Sequence, residues 1–231
     1  MYNLILTAAG KYQRFRRFSY EIPKYLLPVK NRTMLHYVLK GFFSNRHAKV
    51  TFVGNKQDIN FNGAVNAILS ELCNNYQTLW VDDTSGQAET LIKATENMHG
   101  PFIVHNVDTI LLDRYWPPVF PYNDCGVDVF KSSNRNYSYV DVDNKGFVST
   151  IKEKTVISDK ASSGCYLFKD SSFRDYFDES TLYISQIINK MIEHGRIVEA
   201  GRVYNEKDTI VMGTPEEYLM NMDSDKLTEE R

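Results

Sequence analysis

The chain has 231 residues and a mass of 26.8 kDa, the size of one large α/β domain or two small ones, and one is expected here. Hydrophobic residues make up 42% and charged residues 24%, ordinary globular proportions that exclude wholesale disorder. A net charge of −2 and a pI near 6.2 argue against a dedicated nucleic-acid binder, whose footprint is broadly basic.

Apolar runs are only a few residues long, far short of the roughly 20 that a membrane-spanning helix needs, so no membrane partner is expected. Met1 leads almost directly into a strand-like run with no basic, apolar leader, so no export signal is expected. Cys73, Cys125 and Cys165 lie far apart in no metal or disulfide spacing, which reads as reduced thiols in a cytoplasmic protein.

Asn3 to Ala8 reads as a buried strand. Next comes a polar, basic loop, which Pro23 and Pro28 keep from being one helix. Thr33 is a helix cap ahead of Leu35, Val38, Leu39, Phe42 and Phe43 at helical spacing. Lys49 to Gly54 is strand-like, and Val65, Ile68, Leu69 and Leu72 form one helical stripe. A strand around Gln77 to Val81, a helix from about Gln87 to Asn97 and a strand from Phe102 to Val104 follow. This alternation predicts an α/β fold, a Rossmann-like, mostly parallel sheet flanked by helices.

Past Asp108 the pattern becomes antiparallel. Val127 to Lys131, Tyr137 to Val142 and Phe147 to Ile151 read as strands, the last two joined by the turn chemistry of residues 143–146 into an inserted hairpin. Gly164 to Phe168 is a further strand. Ile184, Ile187, Ile188, Met191 and Ile192 mark an amphipathic helix closed by Gly195. A strand around Thr209 to Met212 runs into a helix opened by Thr214, Pro215, Glu216 and Glu217. Residues 1–222 are expected as one domain, with 223–231 a polar, frayed tail. The helix from Tyr183 to His194 and the aromatic segment from Tyr115 to Tyr122 are each candidates for a homo-oligomer surface or for core.

In an open parallel sheet, ligands bind beyond the carboxyl ends of the strands. The segment after the first strand holds Lys11, Arg14, Arg16, Arg17, Lys24, Lys30 and Arg32 against the single acid Glu21. That run suits a small polyanion such as a nucleoside triphosphate, and suits a solvated basic loop equally well. Ala8, Ala9 and Gly10 would let backbone amides approach a phosphate or a base edge. The five histidines share no metal-ligand spacing, which argues against zinc, and no P-loop or dinucleotide fingerprint occurs.

Residues Ala8 to Phe15, then Pro23 to Val29, resemble the signature A-A-G-x-G-[ST]-R-[FL] … P-K-x-L-x-P-V of the sugar-phosphate nucleotidyltransferases. The resemblance continues through Thr84 to Thr90 and through Phe102 to Asp108, whose last residue matches that family's metal-binding aspartate. It extends over Ile151 to Lys154 with Ser163 to Phe168, and over Gly213 to Leu219, so six segments match in order over nearly the whole chain. The resemblance implies the nucleotide-diphospho-sugar transferase type of fold. It also implies that a phosphomonoester oxygen attacks the α-phosphorus of a nucleoside triphosphate and releases pyrophosphate. The acceptor would be a sugar 1-phosphate or a similar small phosphorylated metabolite, the cofactor Mg²⁺, and the product an activated precursor for surface glycans. By the same resemblance Ala8, Ala9 and Gly10 would touch the nucleotide, and Arg14 and Lys24 would be catalytic through the triphosphate. Gly86 and Gln87 would border the base, Glu153, Lys154 and Gly164 would face the second substrate, and Asp108 would hold the metal.

Tyr12 and Gln13 depart from the signature, standing where it has a glycine and a Ser or Thr. A side chain at position 12 meets a φ > 0 geometry at roughly 1 kcal/mol or more, unless the loop takes another path. Val211 and Met212 occupy the stretch where many relatives carry a second metal-binding aspartate, with Asp208 nearby but out of register. Two rival readings remain: a nucleotide-binding regulatory or structural protein without turnover, and a glycosyltransferase using Asp141 and Asp143 as a metal pair.

Overall fold

The computed structural model describes residues 2–42, 48–114 and 123–227. Phe43, the segment from Tyr115 to Tyr122 and the tail residues 228–231 lie outside the described residues.

Strand β1 (Tyr2–Ala8) runs through the centre of the sheet. Leu4, Leu6 and Ala8 pack into one core layer, while Ile5 and the following Ala9 pack into the other, as a strand covered on both faces requires. Helix α1 (Met34–Lys40) is capped by Thr33, whose Oγ1 accepts from the His36 amide at 3.3 Å. The chain then forms β2 (Ala48–Asn55), α2 (Asn62–Leu72), β3 (Tyr76–Val81), α3 (Gln87–Thr95), β4 (Phe102–Asn106) and the short β5 (Thr109–Leu111). Strands β3, β2, β1 and β4 are parallel neighbours in that order. Helices α1 and α2 cover one face and α3 the other.

The antiparallel part is larger than an inserted hairpin. Strands β6 (Cys125–Lys131), β7 (Ser138–Val142), β8 (Val148–Glu153) and β9 (Lys160–Phe168) continue the same sheet. Strand β9 pairs antiparallel with β4, β6 and β7, joining the two halves. The turn from β7 to β8 is held by Asp143, whose Oδ1 accepts from the amides of Lys145 and Phe147 at 2.8 and 3.0 Å. Helix α4 (Ile184–Glu193) buries Ile184, Ile187, Ile188 and Met191 beside α3. Strand β10 (Val198–Tyr204) pairs parallel with β6 at the sheet edge and was not expected. Gly201 and Arg202 interrupt its alternation, and the register shifts between Ala200 and Val203. Short β11 (Thr209–Val211) pairs with β5, and α5 (Pro215–Asn221) opens on a complete capping box between Thr214 and Glu217.

Part of the expected tail is not frayed. Leu227 is buried in the same core layer as α1, and Asp225 reaches Lys30 at 3.5 Å. No helix among the described residues is long and apolar enough to cross a membrane.

A buried arginine ties the second half together. Arg114 meets Asp128 of β6 at 3.1 Å, the Thr209 hydroxyl at 2.6 Å and the Asp208 carbonyl at 3.0 Å, with its guanidinium 3.7 Å from the Tyr204 ring centre. Burial pushes the Asp128 carboxyl above its usual range, and Arg114 only partly offsets this. Arg114→Met would leave that carboxylate without its cation, so urea unfolding should show a loss of about 3 kcal/mol or more. A loss below about 1 kcal/mol would mean that water compensates the pair.

Candidate active site

From β1 the chain moves to β2 on one side, while β4 lies on the other, so a crevice opens beyond their carboxyl ends. A cleft of about 210 Å³ occupies this switch point. Arg14, Gln87, Asp108, Glu153 and Gly164 line it, so the fold brings five of the expected residues together from segments far apart in the chain. Lys24 joins them through an ion pair between its Nζ and Asp108 Oδ2. Ala8, Ala9, Gly10, Gly86 and Lys154 are not among the lining residues.

The loop after β1 is tied down from beneath. The Ala9 carbonyl accepts from Asn55 Nδ2 at 3.3 Å, the Ala8 carbonyl accepts from the Tyr12 hydroxyl, and Lys11 pairs with Asp83 at 2.7 Å. Among the described residues no acceptor takes the amides of Gly10, Lys11 or Tyr12. Tyr12 adopts φ 48° and ψ 35°, the left-handed geometry that glycine would favour, so the expected strain at this position is present. Phe15 anchors the turn that carries Arg14, packing edge-on to Tyr20 and Tyr218 at 5.5 and 6.2 Å.

The basic run is largely neutralised. Five of its seven cations, Lys11, Arg16, Lys24, Lys30 and Arg32, face carboxylates. Arg14 and Arg17 have no such partner among the described residues, and Arg14 is the one that lines the cleft.

Asp108 sits in the turn between β4 and β5, its carbonyl accepting from the Met212 amide at 2.7 Å. Burial would raise its pKa, but the Lys24 ammonium more than offsets this, and the carboxyl stays below the usual range. Beneath it, His105 is fully buried and its Nε2 donates to the Thr109 carbonyl at 2.7 Å. Burial pushes this imidazole down to about 4, against smaller upward pulls from the Thr109 carbonyl and Asp108. Gly164 has φ 76°, and a Cβ there would come within 2.3 Å of Asn106 Nδ2, so only glycine leaves Asn106 its place.

At the other end of the cleft, Glu153 Oε1 accepts from the hydroxyls of Ser138, at 2.7 Å, and Ser185. Gly86 is extended, and a Cβ on it would stand 2.2 Å from the Leu182 carbonyl, so its smallness admits the chain crossing above. Gln87 is fixed by its Nε2 donating to Thr7 Oγ1 at 2.9 Å. Lys154 is exposed at the end of β8 with φ 52°. Asp208 does not approach Asp108; its carboxylate accepts from Asn205 at 3.3 Å, on the 3₁₀ turn before β11. The acid that does is Glu217, for a Cβ on Gly213 would lie 3.4 Å from Asp108 Oδ2 and 3.5 Å from Glu217 Oε2. Asp141 and Asp143 serve the hairpin and do not line the cleft.

Asn106 and Glu217 were not singled out from the sequence. Asn106 Oδ1 is buried and has no partner among the described residues. Its position two residues before Asp108, at a strand end, was the available signal. Glu217 reads locally as a helix cap, and only the packing of α5 brings it to the cleft. Among the described residues no group of three or more His, Cys, Asp or Glu side chains gathers as a metal site.

No protein-family model matches the chain, and a search of curated proteins returned no match. Solved structures do match. The nucleoside-diphosphate-sugar pyrophosphorylase from Vibrio cholerae RC9 superposes with a TM-score of 0.86 at 22% identity, over 95% of this chain and 99% of that one. The inositol-1-phosphate CTP transferase from T. maritima gives 0.79 at 13% identity, over 94% and 90%. A UDP-glucose pyrophosphorylase complexed with UDP-glucose gives 0.73 at 16%, over 96% and 97%. The chain has the nucleotide-sugar pyrophosphorylase fold. At these identities the likeness establishes the architecture, including the expected Rossmann-like sheet with its antiparallel strands.

His105 makes a pH prediction. Its folded pKa of about 4 lies below the unfolded value near 6.5, so unfolded chains take up a proton before folded ones as pH falls. Urea unfolding should therefore show roughly 3 kcal/mol lost between pH 6.5 and 4, and His105→Gln should flatten that slope.

Proposed function

We propose that this protein is a Mg²⁺-dependent nucleotidyltransferase. It joins a nucleoside monophosphate to a sugar 1-phosphate or a similar small phosphorylated compound and releases pyrophosphate. The observation that carries the reading is the meeting of Lys24 with Asp108, which lines a cleft shared with Arg14, Gln87, Glu153 and Gly164, at the switch point of a pyrophosphorylase fold.

The residues present suit such a reaction. The attacking phosphate is already ionised at neutral pH, so the protein needs no general base or nucleophile, and the cleft supplies placement and positive charge. The amides of Gly10, Lys11 and Tyr12 would cradle the triphosphate, with Arg14 and Lys24 covering its developing charge. Gln87, fixed on β1 through Thr7, would border the base, with Ala8, Ala9 and Gly86 shaping the wall behind it. Glu153, oriented by two serine hydroxyls, would accept from the second substrate's hydroxyl or amine groups, and Gly164 would leave room for its body. Lys154, exposed at the strand end, would reach that substrate's phosphate on closure.

Asp108 and the orphaned Asn106 Oδ1 fit Mg²⁺, which takes one or two protein oxygens and fills its octahedron from phosphates and water. When bound, that ion would neutralise phosphate charge and fix the reacting groups' orientation. The same reading makes the protein a cytoplasmic supplier of activated precursors for surface glycans.

Nucleoside triphosphates with Mg²⁺ and a panel of phosphorylated metabolites should yield pyrophosphate. Thermal shifts with CTP, UTP, GTP, ATP and dTTP would first identify the base. Lys24→Ala and Asp108→Asn should each lower kcat by about two orders of magnitude or more, while Asp141→Asn and Asp143→Asn leave it near normal. Stabilisation by a triphosphate with no turnover across the panel would instead favour a regulatory nucleotide binder.

A further inference from the structure

Position 12 holds a large aromatic residue in a backbone geometry that a β-carbon disfavours, at φ 48°. Such strain persists only where surrounding contacts over-determine it. Three contacts do so. The Tyr12 hydroxyl donates to the Ala8 carbonyl at the end of β1. Its ring packs edge-on against Tyr25, 5.9 Å between centres, and Tyr25 is wholly buried and in turn edge-on to Phe52 at 5.0 Å. The Lys24 ammonium lies 5.7 Å from the Tyr12 ring centre, within cation–π range, while its other side meets Asp108. Residues 24 and 25 thus take hold of the same ring, one by charge and one by packing. Burial, with Tyr25 and the Asp58 and Asp108 carboxylates adding to it, raises the phenol's pKa, so it remains a donor at neutral pH.

We infer that Tyr12 is a positioning residue, whose ring holds the Lys24 ammonium at the mouth of the cleft while its hydroxyl ties the loop to β1. This rests on the proposed role of Lys24 at the triphosphate. A lysine on a flexible stem loses little reach but much precision when one of its contacts is removed. The tyrosine is then no lapse from a glycine-bearing signature. It closes the loop by another route, and part of the loop's hold passes from backbone freedom to a side chain.

The test uses the full chain with Tyr12→Phe, Tyr12→Leu and Tyr12→Gly. Three quantities are read: melting temperature, acylation rate of Lys24 by acetic anhydride through peptide mass spectrometry, and kcat and KM for pyrophosphate release. Tyr12→Phe keeps the ring but loses the tie to the Ala8 carbonyl. It should lower the melting temperature while leaving Lys24 acylation and kcat within about threefold of the parent. Tyr12→Leu and Tyr12→Gly should speed Lys24 acylation about fivefold or more and lower kcat about tenfold, with the triphosphate KM changing less than about threefold. Unchanged Lys24 acylation in folded Tyr12→Leu would overturn the inference, as would equal loss in Tyr12→Phe and Tyr12→Leu. If Tyr12→Gly fails to fold, the Phe and Leu pair decides. Should the parent protein release no pyrophosphate while acylation follows this pattern, the proposed reaction fails and the positioning role stands.

Discussion

The ion pair between Lys24 and Asp108 fixes the site. Its two halves come from a loop after β1 and a turn after β4, separated by 84 residues. Each half is supported separately. Pro23, Tyr25 and Leu27 are buried around Lys24, and the Met212 amide holds the Asp108 carbonyl. Asp108 stays ionised despite its burial because the ammonium beside it outweighs the desolvation. The pair therefore holds a fixed negative and a fixed positive group together at one crevice.

Beneath the pair lies a buried polar layer that leaves little freedom. His105 is held neutral by burial and donates to Thr109, Asn106 fits only because position 164 is glycine, and Thr7 links Gln87 to the centre of the sheet. Further out, Arg114 gathers β6, β10 and β11 around one guanidinium. In this cleft, position is set by strands and buried hydrogen bonds, and the loop after β1 is tied to them through Asn55, Asp83 and the Tyr12 hydroxyl. Tyr12 keeps its left-handed geometry among these contacts.

The regular elements of the first half were legible from residue patterns. The apolar run from Asn3 to Ala8 predicts a buried strand, and Thr33 predicts the start of α1; both are found. Strand β10 was not legible, because Gly201 and a register shift break its period. Leu227 was lost within a polar tail, since one apolar residue carries no periodicity, yet it is buried. At the cleft, Arg14, Gln87, Asp108, Glu153 and Gly164 were visible through ordered motifs, whereas Glu217 looked like an ordinary helix cap. A cap is a local fact, and proximity across the fold is not.

Sequence alone determined which segments become strands and helices, and that a loop with small residues and cations follows the first strand. Those properties depend on neighbours a few residues apart, through side-chain period, capping and backbone freedom. Tertiary structure alone decided which charges are spent on each other. It paired five cations of the basic run with distant carboxylates, left Arg14 facing the cleft, and set Glu217 rather than Asp208 near Asp108. Coulomb interactions fall off with distance in space and are indifferent to distance along the chain, so only the folded sheet could assign those partners.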